Sequence, residues 1–390
     1  MDSVADTAGR VQEDGALSVT FGVAAIALTL LTYTYFGYPL LIGLLARLFP
    51  WRPRPDPGWE PTVSVCVAAY NCEAYLDAKL ASLLALDYPA DKTEILIYSD
   101  ASTDGTDAIV TGRAANDPRV HLLRGEARMG KPTALNRMRE RATGEVIVIT
   151  DARQPLDRAA LRALLALLAA PQVGCVTGNL VLEGSAGSGI YWRYENWIRK
   201  QESRFGSVTG MTGPLSALRR CDLGPLPADL ILDDVWIPMQ LRLRRARVLF
   251  AEDAIARDQA FSDDREFGRK TRTLAGNYQL FWRMPRLLMP FLNPSWFETI
   301  SHKIARLLCP WLLVALLLAC SIGVLELELG SLARPTLYGL LLAQIAFYAL
   351  GVLGNRAGRL GTVARTFLVL NAAAVVGLGR FIAGSQRVTW

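Results

Sequence analysis

Long apolar stretches lie at the two ends of the chain, whereas the residues between them have the polar content of a soluble protein. The stretch from Leu17 to Phe49 contains no charged residue before Arg47, so it is long enough to span a bilayer. Three further apolar stretches lie near the other end, at 304–324, 336–353 and 366–381. The pattern therefore predicts about four transmembrane helices.

Between the two ends, short apolar runs with the spacing of strands alternate with helical patterns. The predicted strands are 63–69, 94–98, 119–123 and 145–150, and a helix is predicted after each of them. This alternation, with short connections, predicts a doubly wound α/β fold with a mainly parallel sheet. Ligands of such sheets bind beyond the carboxyl ends of the strands. The residues that follow each strand are therefore the candidates for chemistry.

Composition and charge support a membrane protein and predict its orientation. Hydrophobic residues make up 51% of the chain, and the mean hydropathy is +0.23. The predicted loop 354–365 carries three arginines and no acid, whereas residues 1–16 carry four acids and one arginine. Positively charged loops stay on the cytoplasmic side. We therefore expect a multi-pass protein of the plasma (inner) membrane, with both termini outside and the large middle part in the cytoplasm.

These patterns divide the chain into five predicted parts. They are an extracytoplasmic tail at 1–16, a transmembrane span at 17–49, a cytoplasmic domain at 50–276, interfacial amphipathic helices at 277–303 and three transmembrane spans at 304–390. The stretch 277–303 interleaves aromatic and basic residues, as segments in the headgroup plane do. Membrane anchoring and a direct lipid-acceptor site are both compatible with that composition.

Several classes of site are excluded by residue counts and spacing. The six cysteines form no C-x-x-C motif, and two histidines are too few for most zinc sites. The net charge of +6 is accounted for by basic residues at the membrane, and no nucleic-acid-binding motif is present.

Two aspartates follow predicted strands at the same edge of the sheet. Asp151 comes directly after the run 145–150, and Asp100 closes the run 94–98. A carboxylate at that edge can hold a nucleotide or a metal ion, and it can also cap the helix that follows. Because the sequence between them contains a glycine–lysine pair at a helix start, we favour a nucleotide–metal site.

That pair ends the run Gly125–Lys131, which matches the G-x-x-x-x-G-K pattern of phosphate-binding loops. Pro132 stands where such a loop needs a Ser or Thr hydroxyl for magnesium, so the match is a false one. No G-x-G-x-x-G follows the first strand either, which excludes a dinucleotide fingerprint. A lysine at a helix start is still a good contact for a diphosphate, through its charge and the helix dipole. A solvated lysine is the alternative.

Six motifs, in order along the chain, resemble those of the family 2 glycosyltransferases, the inverting GT-A group that includes the cellulose, chitin and hyaluronan synthases. They are Y-N at 70–71, S-D-A-S-T-D-G-T at 99–106, G-K followed by A-L-N at 130–136, T-D-A at 150–152, the segment 202–220 and L-D-D-V-W at 232–236. The resemblance covers about Pro61 to Asn277, and it implies a GT-A fold for the cytoplasmic domain.

The resemblance implies a role in donor binding for five of the matching residues. Tyr70, Asn71 and Asp100 would hold the nucleoside, and Lys131 would hold the diphosphate. Asp151 would ligate Mg²⁺ or Mn²⁺ on the diphosphate, since hard cations prefer carboxylate oxygens.

The same resemblance assigns the acceptor side of the reaction. Asp234 would be the general base that deprotonates the acceptor hydroxyl. Its neighbour Asp233 would raise its proton affinity by like-charge repulsion, and the pair can also cap the helix that follows. Gly213 and Pro214 would contact the acceptor. Trp236 either supplies a platform for the sugar or belongs to the core.

Two motifs depart from the family pattern. The metal motif Asp-x-Asp reads D-A-R at 151–153, so one ligand is missing, and Arg153 either contacts phosphate or points to solvent. Processive synthases carry Gln-x-x-Arg-Trp where this chain has R-K-T-R-T at 269–273. Arg269 and Arg272 are then the remaining diphosphate-binding candidates, and the acceptor-stacking tryptophan is absent. Both changes weaken the case for long-chain processive synthesis.

The resemblance predicts an inverting transfer of a hexosyl or N-acetylhexosaminyl group from a cytoplasmic nucleotide sugar, with UDP-sugars favoured. The acceptor would be a lipid-linked saccharide or a growing polysaccharide. Transfer of one sugar to a polyprenyl phosphate is the alternative within the enzyme class. An inactive GT-A subunit of a polysaccharide export assembly is the alternative of another class. The predicted partners are the nucleotide sugar, the acceptor and the bilayer. No nucleic acid is expected as a partner. A homodimer or partner proteins for polysaccharide export are both compatible with this prediction.

Overall fold

The computed structural model describes residues 19–183, 188–259, 263–326 and 333–389, which form two compact units. The apolar unit contains the described residues up to Leu41 together with Ile300–Val376. The sheet unit contains Ile42–Thr299 and the residues from Gly377 onward. All the candidate site residues lie in the sheet unit.

A seven-stranded sheet forms the centre of the sheet unit. Its strands are β1 (Val63–Ala69), β2 (Thr93–Ser99), β3 (Val120–Arg124), β4 (Val146–Asp151), β5 (Val173–Glu183), β6 (Ser216–Arg219) and β7 (Arg247–Gln259). Their order is β3-β2-β1-β4-β6-β5-β7, and only β6 runs antiparallel to its neighbours. The predicted α/β class with a mainly parallel sheet is confirmed.

Among the described residues, seven helices of nine or more residues lie wholly within this unit, an eighth enters it from the apolar unit, and the last helix of the chain ends in it. The seven are α2 (Glu73–Leu84), α3 (Thr106–Ala114), α4 (Lys131–Arg141), α5 (Ala160–Leu168), α6 (Ser188–Phe205), α7 (Asp233–Leu243) and α8 (Asp263–Arg283). The eighth is α1 (Val19–Leu48), which begins in the apolar unit. The stretch 50–61, with five prolines, forms no helix, as expected for a stiff linker.

The core of the sheet unit explains why the sequence of β1 is a continuous apolar run. All seven residues of β1 are buried. On one face the strand packs in a cluster with Leu76, Leu80 and Leu83 of α2. Helix α4 also contacts β1 and buries Leu135 and Met138. A strand covered on both faces has no polar side, and each buried leucine or methionine contributes about 1.5–3 kcal/mol to folding.

The apolar unit contains the helices that the hydrophobic stretches predicted. Three segments of the described chain are long and apolar enough to cross a membrane: Val19–Leu48, Trp296–Leu325 and Arg334–Ile382. The second consists mainly of α9 (Ala305–Glu326), and the third contains α10 (Ala333–Leu353) and α11 (Gly358–Ile382).

The predicted third and fourth spans are thus joined in one continuous segment. The rings of Phe347 and Phe367 are 5.3 Å apart, whereas twenty residues of straight helix would separate them by about 30 Å. The chain therefore reverses between α10 and α11. It does so at Gly354 and Gly358, whose φ angles are 55° and 66°, a conformation that glycine adopts without strain.

The stretch 277–303, predicted to form interfacial amphipathic helices, begins inside a longer helix. Helix α8 continues through Arg283, because residues 263–284 contain no proline. Short helical turns follow at Pro285–Leu288 and Trp296–Glu298. An interfacial location for this stretch stays a prediction.

Candidate active site

Three strand ends form the floor of the candidate site. Strands β2 and β4 pair with β1 in parallel, in register up to their last residues. Tyr70, Asp100 and Asp151 therefore lie at one edge of the sheet, as the sequence predicted. Asp151 is the last residue of β4 rather than the first residue beyond it, since its main chain still pairs with Ala68.

The loops after β1 and β2 both contain a strained backbone. Asn71 has a φ of 49° and Ala101 a φ of 58°, in the left-handed region that residues other than glycine seldom adopt. The Asn71 N–H donates to Ser102 Oγ at 3.2 Å, and its side-chain oxygen accepts from the Thr103 N–H at 2.9 Å. These bonds hold the two loops together. Such strain is concentrated at functional sites, which favours a functional role for this edge.

Asp100 organises the loop that precedes α4. Its two carboxylate oxygens accept the N–H groups of Met129 and Gly130, each at 2.8 Å, and the residue is fully buried. Gly130 has a φ of 87°, so this bend requires glycine. Asp100 therefore sets the backbone at the start of α4, and direct contact with a nucleoside stays a prediction.

Tyr70 is covered on one face by a guanidinium. The Arg128 side chain lies 3.7 Å from the centroid of the Tyr70 ring, which is a close cation–π contact. A nucleoside base that stacks on this face of Tyr70 must first displace Arg128.

Lys131 joins the two acidic segments of the site. It is the first residue of α4, and its Nζ lies 2.9 Å from Asp151 Oδ1 and 3.2 Å from Asp233 Oδ2. The side chains of Lys131 and Asp233 are 13% and 8% exposed, whereas that of Asp151 is 36% exposed. A single ammonium thus lies between the end of β4 and the start of α7, and a carboxylate beside it is open to solvent.

Electrostatics keep Lys131 and Asp151 charged. Burial acts to lower the pKa of Lys131, but the Asp151 and Asp233 carboxylates outweigh it and raise this pKa above its usual range. Burial acts to raise the pKa of Asp151, but Lys131, Lys79 and Arg269 together lower it. Asp151 is therefore ionised at neutral pH, as a ligand for a cation must be.

Asp234 lies in the first turn of α7, beside the segment predicted to bind the acceptor. Helix α7 begins at Asp233 with Leu232 as its N-cap, so neither aspartate caps it. Both carboxylates still lie at the positive end of the helix dipole. The main-chain oxygen of Asp234 accepts the N–H of Met211 at 2.7 Å. The predicted base is thereby tied to the segment 202–220.

That segment also reaches Asp151. Pro214 O accepts a hydrogen bond from Thr150 Oγ1 at 2.6 Å. A Cβ built on Gly213 would lie 3.1 Å from Asp151 Oδ2, so this glycine leaves room for the carboxylate. The structure therefore brings Asp151, Gly213 and Pro214 together.

Replacing Gly213 with alanine is expected to weaken metal-dependent donor binding. The added methyl group must push the Asp151 carboxylate away by a few tenths of an ångström, which we expect to raise the Mn²⁺ concentration for half-maximal donor binding about 3- to 10-fold. Calorimetric titration of a nucleotide sugar at several Mn²⁺ concentrations measures this Mn²⁺ requirement. Gly112→Ala is the control, because a Cβ there meets nothing within 4 Å. An unchanged Mn²⁺ requirement in Gly213→Ala would contradict this role.

Arg153 is engaged by β7 rather than pointing to open solvent. Its Nη2 lies 2.7 Å from Asp258 Oδ1 and donates to Gln259 O at 3.1 Å. Asp258 is buried and also accepts from Gln154 at 2.7 Å. The position that holds a second aspartate in the family motif is therefore used here for an ion pair with β7.

The remaining predicted residues divide into two groups. Arg269 is near enough to lower the pKa of Asp151, and Arg272 donates to Ile231 O at 3.3 Å, two residues before Asp233. Trp236, by contrast, is 8% exposed and has no open face for a sugar. Trp236 follows Asp234 by two residues on α7, which is a rotation of about 200°. Its side chain therefore points away from that of the predicted base. Its burial favours the core alternative for this tryptophan.

Sequence reasoning missed Lys79, a fully buried lysine behind β4. Its Nζ donates to Thr150 Oγ1 and to Gln154 O, both at 2.6 Å. It therefore supports the main chain on both sides of Asp151. A signal was present, because Leu76, Lys79, Leu80 and Leu83 have the spacing of one apolar helix face. A lysine at such a position needs a buried partner.

Lys79→Met is expected to remove a pH dependence of stability. Burial lowers the pKa of Lys79 to about 7 from an ordinary value of 10.5. Above pH 7 the unfolded chain therefore keeps a proton that the folded chain has lost, so stability rises with pH up to the unfolded value. A difference of one bound proton between the folded and unfolded chains changes the free energy of unfolding by at most about 1.4 kcal/mol per pH unit.

Unfolding of the purified protein at pH 7 and pH 9 tests this expectation. The rise in the free energy of unfolding should be smaller in Lys79→Met than in the wild type. It should be unchanged in Lys92→Met, whose ammonium pairs with Glu60 at the surface. Equal pH slopes in all three proteins would show that Lys79 keeps its ordinary pKa.

The sequence model of the family described as Glycosyl transferase family 2 matches residues 64–223. The chain contains a family 2 glycosyltransferase domain. The resemblance on which the site was predicted is thereby confirmed. The matched range includes Asp100, Lys131 and Asp151, whereas Asp234 and Arg272 lie beyond it.

Relatives of the family 2 domain are themselves named glycosyltransferases. The beta-monoglucosyldiacylglycerol synthase of Synechocystis sp. is 25% identical over 238 residues, which are 57% of this chain and 50% of that protein. An N-acetylglucosaminyltransferase of Azorhizobium caulinodans is 32% identical over 195 residues, or 48% of this chain and 47% of that protein. The chain therefore spans about half the length of the curated relatives it matches.

A solved structure similar to this chain extends beyond the family 2 domain. The mannosyltransferase PcManGT from Pyrobaculum calidifontis, in complex with GDP-Man and Mn²⁺, is 28% identical and has a TM-score of 0.73. The similarity covers 92% of this chain and 99% of that chain. The predicted GT-A fold is confirmed.

The donor atoms of the family 2 domain fit a divalent cation shared with a diphosphate. Within the described ranges, no group of three His, Cys, Asp or Glu side chains could hold a metal ion by itself. Asp151 offers one partly exposed carboxylate. Mg²⁺ is commonly held in this way, by one or two carboxylates together with substrate phosphates. The residues present therefore fit a cation that arrives with its nucleotide.

Proposed function

We propose that this protein is a membrane-embedded inverting glycosyltransferase. It moves a hexosyl or N-acetylhexosaminyl group from a nucleotide sugar to a hydroxyl group of a lipid-linked saccharide or a growing polysaccharide. The observation that carries the proposal is the position of Lys131 between Asp151 and Asp233, within a family 2 domain. One cation there can meet a diphosphate while a carboxylate beside it meets a metal ion.

Donor binding is explained by the start of α4 and the residues around it. The backbone that Asp100 holds at Gly130 directs the N-terminus of α4 to the site, where N–H groups and the helix dipole favour a diphosphate. Lys131 adds a full positive charge. Asp151 would hold Mg²⁺ or Mn²⁺, which neutralises charge on the leaving nucleoside diphosphate. The loops that Asn71 joins to Thr103 would hold the nucleoside.

The acceptor hydroxyl would lose its proton to Asp234. Inversion at the anomeric carbon needs one base on the face opposite the leaving group. Of the two adjacent aspartates, Asp233 is buried against Lys131, whereas Asp234 is partly exposed. The bond from Met211 to the Asp234 main chain would fix the base relative to the acceptor segment.

The apolar helices and a relative named for a glycolipid product support an acceptor that is a lipid or is attached to one. The relatives and the similar structure are named for different sugars, glucose, N-acetylglucosamine and mannose. The donor is therefore best found by a screen that includes both UDP-sugars and GDP-sugars.

Release of nucleoside diphosphate by the detergent-purified protein tests this function. We expect release from one nucleotide sugar with Mg²⁺ or Mn²⁺, in the presence of an extract of acceptor lipids, and loss of release with EDTA. Asp151→Asn should abolish release, while Asp157→Asn, which removes a surface ion pair with Arg257, should not.

Three other outcomes have defined meanings. Release that survives EDTA would contradict the role of a metal ion at Asp151. Tight nucleotide binding without release from any donor would contradict the proposed activity and favour a binding subunit. Transfer to a polyprenyl phosphate but not to saccharide acceptors would replace the proposed acceptor with the alternative one.

A further inference from the structure

The residues that follow the last apolar helix return to the sheet unit. Helix α11 ends at Ile382, and Gly384, with a φ of 60°, terminates it. Residues 383–389, which we call the distal segment, form no further helix or strand. They belong to the same compact unit as the candidate site.

Contacts with α8 fix the start of the distal segment. A Cβ built on Gly377 would lie 3.0 Å from Ala275 N and 3.1 Å from Thr271 O. The rings of Phe381 and Tyr278 stack with centroids 6.3 Å apart. This close packing holds the end of α11, from which the distal segment begins, against α8.

Arg272 links the distal segment to the main chain just before α7. Its Nη2 donates to Val388 O and to Ile231 O, both at 3.3 Å. Ile231 precedes the aspartate pair of α7 by two residues. The Arg272 Nε is buried and has no hydrogen-bond partner among the described residues. An arginine whose guanidinium makes only two long bonds to carbonyl oxygens would bind a phosphate oxygen more strongly.

Val388 also lies against the loop that precedes Lys131. A Cβ built on Gly130 would lie 3.2 Å from Val388 Cγ1 and 3.7 Å from Val388 O. The same residue therefore touches the glycine at the start of α4 and holds Arg272. Those are the two elements that a donor diphosphate would contact.

We infer that the distal segment forms one wall of the donor diphosphate site, with Val388 positioned beside the diphosphate and its carbonyl oxygen holding Arg272. This inference rests on the proposed function and extends it to a part of the chain outside the family 2 domain. Val388 is a positioning residue, since it would act through Arg272 and through the shape of the site.

A charge introduced at position 388 should therefore affect diphosphate binding according to its sign. The backbone carbonyl that Arg272 contacts is kept in any substitution, and the Val388 side chain is partly exposed. Near a protein surface, a unit charge a few ångströms from a diphosphate changes affinity by about tenfold or more. We expect Val388→Asp to weaken UDP or GDP binding about tenfold and Val388→Lys to strengthen it by a similar factor.

Calorimetric titration with UDP and GDP in Mg²⁺ measures these changes in the full-length protein. Asn116→Asp and Asn116→Lys are the matched controls, because they alter net charge equally at an exposed helix end just before β3, on the amino side of the sheet. Their dissociation constants should equal that of the wild type. Opposite effects at position 388 distinguish an electrostatic wall from a folding defect, which would weaken binding in both variants.

The outcomes separate this inference from the function on which it rests. Wild-type affinity in both Val388 variants, or equal weakening in both, would overturn the distal segment as a wall of the site while leaving nucleotide binding intact. Failure of the wild type to bind UDP or GDP would overturn the proposed function itself, and this inference with it.

Discussion

Asp234→Asn is expected to reduce sugar transfer by about 10²- to 10⁴-fold while nucleotide binding stays the same, since this is the usual contribution of a general base. The carboxamide has nearly the shape of the carboxylate but cannot accept the proton of the acceptor hydroxyl. The main-chain bond from Met211 to position 234 does not depend on the side chain. The acceptor segment should therefore keep its place.

The measurement is the rate of sugar transfer at saturating donor, together with calorimetric titration of the nucleoside diphosphate. Asp229→Asn is the control, because it removes a carboxylate that pairs with Arg283 and is 68% exposed. A variant with full transfer would show that another group accepts the proton. A large loss of nucleotide affinity would show instead that Asp234 belongs to the donor site.

Lys131→Met is expected to weaken binding of the nucleoside diphosphate about 10- to 100-fold, the usual value of one charge-assisted contact. It also leaves Asp151 and Asp233 without the ammonium between them. We expect a loss of about 1–3 kcal/mol in the free energy of unfolding. That is less than the 3–5 kcal/mol of a fully buried pair, because Asp151 is 36% exposed.

The pH dependence of this loss follows from the carboxylate. The pKa of Asp151 is lowered from an ordinary value of 3.8, so the ion pair stabilises the fold above pH 3.8 and ceases to do so as pH falls through the lowered pKa. The difference between wild type and Lys131→Met should therefore be largest near neutral pH and shrink in acid. Unfolding at pH 7 and at about pH 2, below the ordinary pKa of the carboxyl, measures it, with Lys92→Met as the control. A difference that does not change with pH would contradict the pairing.

Local pattern was sufficient to predict the sheet and the edge at which the site lies. Apolar runs that end at Asp100 and Asp151 predicted strands, and parallel strands in register bring their ends together. The fold class therefore followed from short-range signals. The positions of Asn71 and Lys131 at this edge follow from the same pattern, because each comes at the start of a connection to a helix.

Contacts between distant parts of the chain could not be predicted in this way. The pairing of Lys131 with Asp233 and that of Arg153 with Asp258 join residues about a hundred positions apart, and nothing local distinguishes them from solvated charges. The approach of Val388 to Arg272 depends on the path of the chain after its last apolar helix. Such contacts depend on the packing of whole elements rather than on spacing.

The structure favours one of two alternatives that the sequence left open. The sequence left open whether Trp236 faced the acceptor or the core, and burial assigns it to the core. Its distance of two residues from Asp234 along a helix already placed the two side chains on different sides. Helical spacing was thus a better guide to this residue than its proximity to the predicted base.

The most direct test of the proposed function is transfer of a radiolabelled sugar from nucleotide sugars to membrane lipids by the purified protein. We predict that one labelled donor will transfer its label to the organic-extractable or polymeric fraction with Mg²⁺ or Mn²⁺. The label should fail to transfer with Asp234→Asn and should transfer normally with Asp229→Asn. No incorporation from any donor, with the wild type folded and binding nucleotide, would contradict the assignment of this chain as a glycosyltransferase.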